Sequence, residues 1–510
     1  MPGDISHGLG IIGTIAKEVA DVKIIDNNSN NKTHSIDQLV TSIGAFKPDI
    51  IGFHVHANNI FRTKNLIEKI KSKFPEICLL GGGLHTYAQP QEVADIGMNI
   101  VAIEEADLTI MPLLSALETC TILNGTFCIS NDLSDKLAKI PGLLFFNNDS
   151  GKWISSGKPE YIKDLDALPF IDHELFNLED YIHSENDHHW ITNTLITMRG
   201  CPFDCSFCQF DDFGAYKMVR YNSTEYRINY MKYLVEKYNH KYLIFYDANF
   251  TLNKAKTLEF CNAMRESGLN RKVKFWCESN VILPLDQELV QNLQSAGCAE
   301  IALGVERLTR KGLGLIGKNK DYNLIIDTIA KLKEAGIRVT ANALVGFPFD
   351  SVELVEKEEK RFIELLNHVH SCTVNILMPI PGTSIHEQTE LKQWYLNEEL
   401  MNWKPPFYHF AYNFYNAGGV AWAANFFNLE PQTMNAVRKM REKIYGLNMK
   451  KLHNPLVDIL FGIVKMTASI SYRLYKASPK AERLFFAPVI HFYLLLWKTM
   501  VSKLYTKTSD

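Results

Sequence analysis

Cys201, Cys205 and Cys208 fall within eight residues, in the run Arg199-Gly200-Cys201-Pro202-Phe203-Asp204-Cys205-Ser206-Phe207-Cys208. Three and then two residues separate the sulfurs. Thiolates this close suit an iron–sulfur cluster, whose irons take cysteine ligands. Three protein ligands on a four-iron cluster leave one iron open to bind and cleave another molecule. Zinc is the rival reading, but structural zinc takes four ligands, often from two Cys-x2-Cys pairs. Only one such pair is present, and His188-His189, upstream across a predicted strand, would have to complete a Cys3His site.

The elements around this run alternate strand and helix. Leu195–Met198 reads as a strand entering the cysteine loop, followed by a helix over Tyr221–Tyr238. Further strands end at Asp247-Ala248-Asn249, at Glu278-Ser279-Asn280, at Gly304-Val305-Glu306, at Gly346-Phe347-Pro348 and before Pro379-Ile380-Pro381. Helices are expected over Lys256–Glu266, Asp286–Ala296, Tyr322–Glu334 and Asp350–Asn367. Six strand–helix units predict a partial barrel, with chemistry at the carboxyl-end rim. Asp247, Asn249 and Glu306 stand at that rim, although a lone acid or amide after a strand also serves as a helix cap.

Upstream, a second α/β series is expected. Helices fit Leu9–Val19, Ile36–Phe46, Ile60–Phe74 and Leu108–Leu117; strands fit Val22–Ile25, Asp49–Val55, Ile77–Leu80 and Asn99–Ile103. This alternation predicts a parallel, doubly wound, Rossmann-like sheet with ligands at the strands' carboxyl ends. Gly81-Gly82-Gly83 follows the third strand, either as a tight turn or as a place where backbone approaches a bulky ligand. Between the two series, Leu143–Phe146 and Trp153–Ser155 flank a hairpin turn at Asn147-Asn148-Asp149-Ser150-Gly151.

A length of 510 residues implies two to four domains, and the net charge of −3 offers no global case for nucleic-acid binding. The seven cysteines outside the cluster run are isolated, with no disulfide framework. No signal peptide is visible at Met1–Gly10, so the expected setting is a reducing cytoplasm.

The run Arg-Gly-Cys-Pro-x-x-Cys-x-Phe-Cys resembles the radical S-adenosylmethionine (SAM) superfamily, in its class with an N-terminal cobalamin-binding domain. Gly82-Gly83-Leu84-His85-Thr86-Tyr87-Ala88-Gln89-Pro90 is similar to that class's Gly-Gly-x-His-x-x-x-x-Pro. The resemblance implies a cobalamin-binding domain over 1–120, a linker with a hairpin over 121–190 and a radical SAM barrel over 191–385. An aromatic-rich extension (386–449) and a basic apolar helical tail (450–510) follow. It further implies that Cys201, Cys205 and Cys208 hold a [4Fe–4S] cluster. Asp247, Asn249, Glu306, Asn342, Val345 and Gly346 then meet SAM, and Gly82, Gly83 and His85 meet cobalamin. Phe203 and Phe207 would shield the cluster. The implied activity is reductive cleavage of SAM, used in a cobalamin-dependent C-methyltransferase acting on a small or lipid-like molecule. A non-methylating rearrangement, cyclisation or oxidation is the alternative within this chemistry, and a zinc-binding module without turnover is the alternative outside it. The implied partner is an external one-electron reductant such as flavodoxin or ferredoxin.

The chain departs from the class in three places. The strand that usually precedes the first helix is missing. The usual acidic Gly-Glu-Gly-Glu turn is Glu104-Glu105-Ala106-Asp107, and the Ser-Gly after Gly-Val-Glu is Arg307-Leu308. There is also no Asp-x-His-x-x-Gly to mark a lower cobalt ligand, which leaves His54, His56 and His85 as candidates or as plain loop histidines.

The tail Lys450–Asp510 holds ten Lys/Arg and three Asp/Glu, hence +7 against −10 for the remainder. Its apolar stretches, Pro455–Val464 and Leu484–Trp497, are shorter than the ~20 residues of a membrane span. Two readings stand: an interfacial helix giving peripheral membrane contact, or a helical hairpin packed on the barrel.

Overall fold

The computed structural model describes residues 5–27, 34–118, 121–181, 193–208, 217–318, 322–396 and 426–451. Fifteen strands, β1 to β15 in chain order, are described. They are β1 (Ile50–His54), β2 (Cys78–Gly82), β3 (Ile100–Ala102), β4 (Thr121–Leu123), β5 (Thr126–Cys128), β6 (Leu143–Asn147), β7 (Lys152–Ser155), β8 (Asn193–Leu195), β9 (Met198–Arg199), β10 (Arg220–Tyr221), β11 (Tyr242–Phe245), β12 (Lys274–Asn280), β13 (Cys298–Glu306), β14 (Arg338–Val345) and β15 (Ser371–Ile376).

The first sheet runs β1-β2-β3-β6-β7. β1, β2 and β3 are parallel, while β6 pairs antiparallel with β3 and β7 antiparallel with β6. The sheet is therefore mixed, not the purely parallel one expected. The hairpin forms where the turn residues placed it, but it completes the first sheet instead of standing in a linker. Burial explains why: Leu143 and Phe145 join Cys78, Ile100, Leu113, Leu117 and Phe127 in one core. Left as a free two-stranded hairpin, those side chains would have no core to enter.

Val22–Ile25 is not a strand. Extended backbone becomes a strand only with a ladder partner, and β1 is the edge of its sheet. The expected helices form as His7–Ala16, Ile36–Phe46, Ile60–Lys73 and Ile110–Leu117. Ile36–Phe46 starts at a capping box: the Ser35 hydroxyl accepts from Gln38 N–H, and the Gln38 side chain accepts from Ser35 N–H.

The second sheet has the order β8-β11-β12-β13-β14-β15, which is chain order, with the parallel pairing of a partial barrel. β9 and β10 form a separate antiparallel ribbon of two residue pairs. The described chain divides into two units. The first is 1–279 with 291–299 and 379–387, and the second is 280–290 with 300–378 and 388–510. In the second, helix Pro431–Lys451 packs on helix Val352–Leu365 and on β15. Trp394 is buried against Tyr395 and Phe426, so that part of the aromatic segment is core. Trp403, Phe407, Tyr408, Phe410, Tyr412 and Phe414, and the whole basic tail, lie outside the described residues.

Candidate active site

In the first unit the site begins with Asp247, just past the end of β11 and 1% exposed. Its Oδ1 accepts the N–H of Thr197 at 2.6 Å and of Met198 at 2.8 Å, and its Oδ2 accepts the Thr197 hydroxyl at 2.8 Å. One carboxylate thus fastens the segment that feeds the cysteine loop. Burial pushes its carboxyl group above the usual range, while the nearby Arg227 guanidinium and these bonds pull the other way. Arg227 itself is buried, with its guanidinium 4.2 Å from the Phe260 ring centroid. Asn249, also 1% exposed, accepts from the Ser279 hydroxyl at 3.3 Å, and that hydroxyl pairs with Thr251.

The loop opens at Gly200, whose φ of +90° lies in the region glycine tolerates best. Cys201, Cys205 and Cys208 are half-buried and outside any disulfide. The Cys208 N–H donates to the Cys205 carbonyl at 2.8 Å, which tightens the turn between the last two sulfurs. Lys217 donates to the Phe203 carbonyl at 3.0 Å and pairs with Asp204. The Ser206 carbonyl accepts from Ile385 N–H at 3.0 Å and from the Ser384 hydroxyl at 3.2 Å. The Ser206 hydroxyl itself is buried and has no partner among the described residues.

The residue types fit an iron–sulfur cluster, whose irons take cysteine thiolates; structural zinc takes four ligands on one ion. The unpartnered Ser206 hydroxyl between two of the cysteines is a donor of the kind that tunes cluster sulfur. His188-His189 lies outside the described residues.

The Gly82-Gly83 segment follows β2. A Cβ on Gly82 would meet nothing within 4 Å, while one on Gly83 (φ +108°) would lie 2.5 Å from His54 Cδ2. Open space at a strand's carboxyl end, beside a backbone pressed against its neighbour, suits a flat, bulky ligand such as cobalamin. The His85 ring is buried and committed to Glu92, with Nε2 3.1 Å from its carboxylate. His54 and His56 touch edge to face at 4.1 Å, and the Ser6 hydroxyl lies 3.1 Å from His54 Nδ1. Burial pulls His54 down to about 4 and His56 to about 3, so both rings are neutral at pH 7.

In the second unit, Glu306 ends β13 with φ +61°, at a register slip between Gly304 and Glu306. Lys318, 4% exposed, donates to the Gly304 carbonyl at 2.8 Å and lies 3.4 Å from Glu306 Oε1. Arg307 is fully buried, and its Nη2 contacts both Asp350 oxygens at 2.8 Å. Asp350 Oδ2 also accepts the N–H of Gly346 at 2.8 Å and of Phe347 at 3.0 Å. The Arg307-Leu308 departure is therefore a buried ion pair that shapes the exits of β13 and β14. Asn342 accepts from the Thr373 hydroxyl at 2.6 Å, and Val345 is fully buried.

Sequence reasoning named the cysteines and the strand-end acids, and did not name Arg220, Lys217 and Lys318. No local motif marks these three; only pairing across the ribbon or folding back onto a strand end reveals them.

Residues 195–387 match the Radical SAM superfamily, and residues 6–114 match the B12 binding domain. An uncharacterized methyltransferase of Pyrococcus horikoshii is 26% identical over 400 residues, covering 78% of this chain and 80% of that protein. The anaerobic magnesium-protoporphyrin IX monomethyl ester cyclase of Cereibacter sphaeroides is 23% identical over 340 residues, covering 66% of this chain and 52% of the cyclase. The radical S-adenosylmethionine methyltransferase TsrM of Kitasatospora setae, solved with cobalamin and a [4Fe–4S] cluster, superposes with TM-score 0.58 at 15% identity, covering 75% of this chain and 72% of TsrM. The cobalamin-dependent S-adenosylmethionine radical enzyme OxsB superposes with TM-score 0.58 at 14% identity, covering 99% of this chain and 78% of OxsB. At these identities the two structures establish the fold.

Proposed function

The chain belongs to the cobalamin-dependent radical SAM enzymes, with [4Fe–4S], SAM and cobalamin as cofactors, and we propose that it is a C-methyltransferase. The observation that carries this reading is the pairing, in one chain, of a loop with three half-buried, unbridged cysteines and an open glycine cradle after β2. The methyltransferase of Pyrococcus horikoshii, similar over most of both chains, supports methylation as the outcome. When bound, the cofactors supply an electron, a carbon-radical source and a transferable methyl group.

The residues of this chain do the holding. Cys201, Cys205 and Cys208 ligate the cluster. Asp247 orients their loop through Thr197 and Met198. Asn249, whose side-chain oxygen is held by Ser279, would contact SAM. Glu306 would accept hydrogen bonds from the ribose hydroxyls of SAM, and Lys318, 3.4 Å away, would hold its carboxylate. Asn342, Val345 and Gly346 line the adenosine side, and Gly82, Gly83 and His85 form the cobalamin cradle. The substrate is a small molecule, and a flavodoxin- or ferredoxin-type protein supplies electrons. No helix among the described residues is long and apolar enough to cross a membrane; a cytoplasmic setting remains part of the proposal.

A second reading, cyclisation without methyl transfer, is favoured by the likeness to the cyclase. The test is anaerobic reconstitution with iron, sulfide and cobalamin, then incubation with SAM, a strong reductant and cell extract as substrate source. Methylation predicts both S-adenosylhomocysteine and 5′-deoxyadenosine, each lost in Cys205→Ala. Formation of 5′-deoxyadenosine alone favours the second reading. Neither product, from protein loaded with iron and sulfide, overturns both.

A further inference from the structure

The cysteine loop hangs from the ribbon of β9 and β10. Its ladder has two pairs only, Arg220↔Arg199 and Tyr221↔Met198. So short a ladder does not hold itself, and its first pair sets two guanidinium groups directly opposite each other. Like charges in that position push strands apart. The loop would therefore open at its base unless something supplied the opposite charge.

That charge comes from the turn after β3. Arg220 donates to Glu105 with Nη2 to Oε1 at 2.6 Å and Nη1 to Oε2 at 2.9 Å. The same Oε2 lies 3.1 Å from Arg199 Nη1. Arg199 forks onto Asp107, at 2.6 Å from Nη1 and 3.0 Å from Nη2. Arg220 Nη1 also donates to the Ile162 carbonyl at 2.6 Å. One carboxylate thus spans both arginines, and a second closes the fork of Arg199. All four side chains are largely withdrawn from water, with 17% exposure for Arg199 and 7–9% for the other three. Forked, charge-assisted bonds in such surroundings are strong and fix geometry.

The turn is itself held under strain. Glu104 has φ +62°, a conformation unfavourable for a side-chain-bearing residue. Its carboxylate takes the Tyr161 hydroxyl. The neighbouring oxygens of Glu105 and Asp107 are thereby aimed at the ribbon and away from solvent.

We propose that Glu105 and Asp107 are positioning residues for the iron–sulfur cluster: the acidic turn of the first sheet clamps Arg199 and Arg220, and so sets the cysteine loop and the charge beside the cluster. This rests on the reading of Cys201, Cys205 and Cys208 as cluster ligands. Arg199 stands two residues before Cys201. With both carboxylates ionised, the two arginines are balanced; without Glu105, one net positive charge is left at the loop's base. Nearby charge and hydrogen bonding set a cluster's potential.

The test compares wild type, Glu105→Gln, Glu105→Asp and Asp107→Asn, each reconstituted under identical anaerobic conditions. Three properties are read: the rate of iron loss to a chelator, the electron paramagnetic resonance of the reduced cluster, and its midpoint potential. Glu105→Gln is expected to lose iron about 10-fold faster, with altered g-values and a potential shifted upward. Glu105→Asp, which keeps the charge on a shorter stem, restores most of the difference. Asp107→Asn strips charge from Arg199 alone and shows the same changes at smaller size, so the test survives if Glu105→Gln does not fold. Variants indistinguishable from wild type in all three properties overturn the proposal. So does a Glu105→Asp variant as defective as Glu105→Gln. Wild type that takes up no iron or sulfide instead overturns the cluster reading itself, and the two failures are thus separate.

Discussion

Two arginine–carboxylate systems stand near strand ends, one in each unit, and they differ in how they are sealed. Arg199 and Arg220 share Glu105 and Asp107 in a network that still touches solvent. Arg307 and Asp350 are both at 0% side-chain exposure. Arg307 also lies over the Phe347 ring, 4.8 Å from its centroid, and its Nε and Nη1 have no hydrogen-bond partner among the described residues. A sealed ion pair loses hydration on both charges, so its presence is weak evidence of net stabilisation, although removing one partner is severe. The half-open network loses less hydration and fixes the geometry of a loop. The sealed pair belongs to the core of its unit, and the open one to the positioning of the cysteines.

The largest effect is expected at the sealed pair. Asp350→Ala removes the hydrogen-bonded carboxylate of a buried guanidinium, leaving only the nearby Glu358 charge, and leaves two N–H groups unpaired; it should destabilise by about 3–5 kcal/mol in urea unfolding. Combining Arg307→Met with Asp350→Asn removes both charges while keeping an acceptor for Gly346 and Phe347. That double variant should recover more than half of the loss. If Glu105→Ala proves more costly to stability than Asp350→Ala, the contrast between the two systems is wrong.

Acid should separate the units next. His54 and His56 are held neutral by burial, down to about 4 and about 3. Unfolded chains protonate near 6.5, so between that pH and about 4 the unfolded state binds more protons than the folded one. Stability therefore falls as pH drops through this window, by up to ~1.4 kcal/mol per pH unit for each histidine. Hydrogen exchange at pH 5 should show the first unit opening before the second, and His54→Gln with His56→Gln should reduce the response, the rest coming from His7, His173 and His240, which burial also pulls down. Opening that begins in the second unit contradicts this.

The smallest effect concerns the strained turn. Glu104→Gly and Glu104→Ala both lose the Tyr161 contact, but only alanine keeps the unfavourable φ. Glycine should be the more stable by about 1 kcal/mol. Equal stability would mean that the turn relaxes, and that its strain does not help aim Glu105.

Much of the fold was legible because its signals are local. Six strands of the second sheet follow from apolar runs closed by polar, Gly or Pro elements, and the hairpin from its turn residues. Val22–Ile25 was misread because its composition suits a strand and composition is silent on whether a neighbour exists to bond it. The hairpin's membership of the first sheet was hidden for the same reason, since β3 and β6 meet across some forty residues of chain. Asp247 was legible as a strand-end acid. That its oxygens go to Thr197 and Met198, fifty residues earlier, was not.

The chain by itself determined the cysteine motif, because three thiols on one short loop need no distant partner to be recognised. It also determined the α/β succession, through periodicity within each segment. Only the tertiary structure decided that the acidic turn at Glu104–Asp107 clamps the base of the cysteine loop, and that Arg307 is neutralised by Asp350. Ion pairs and strand ladders join residues by distance in space, and spacing along the sequence does not encode that distance.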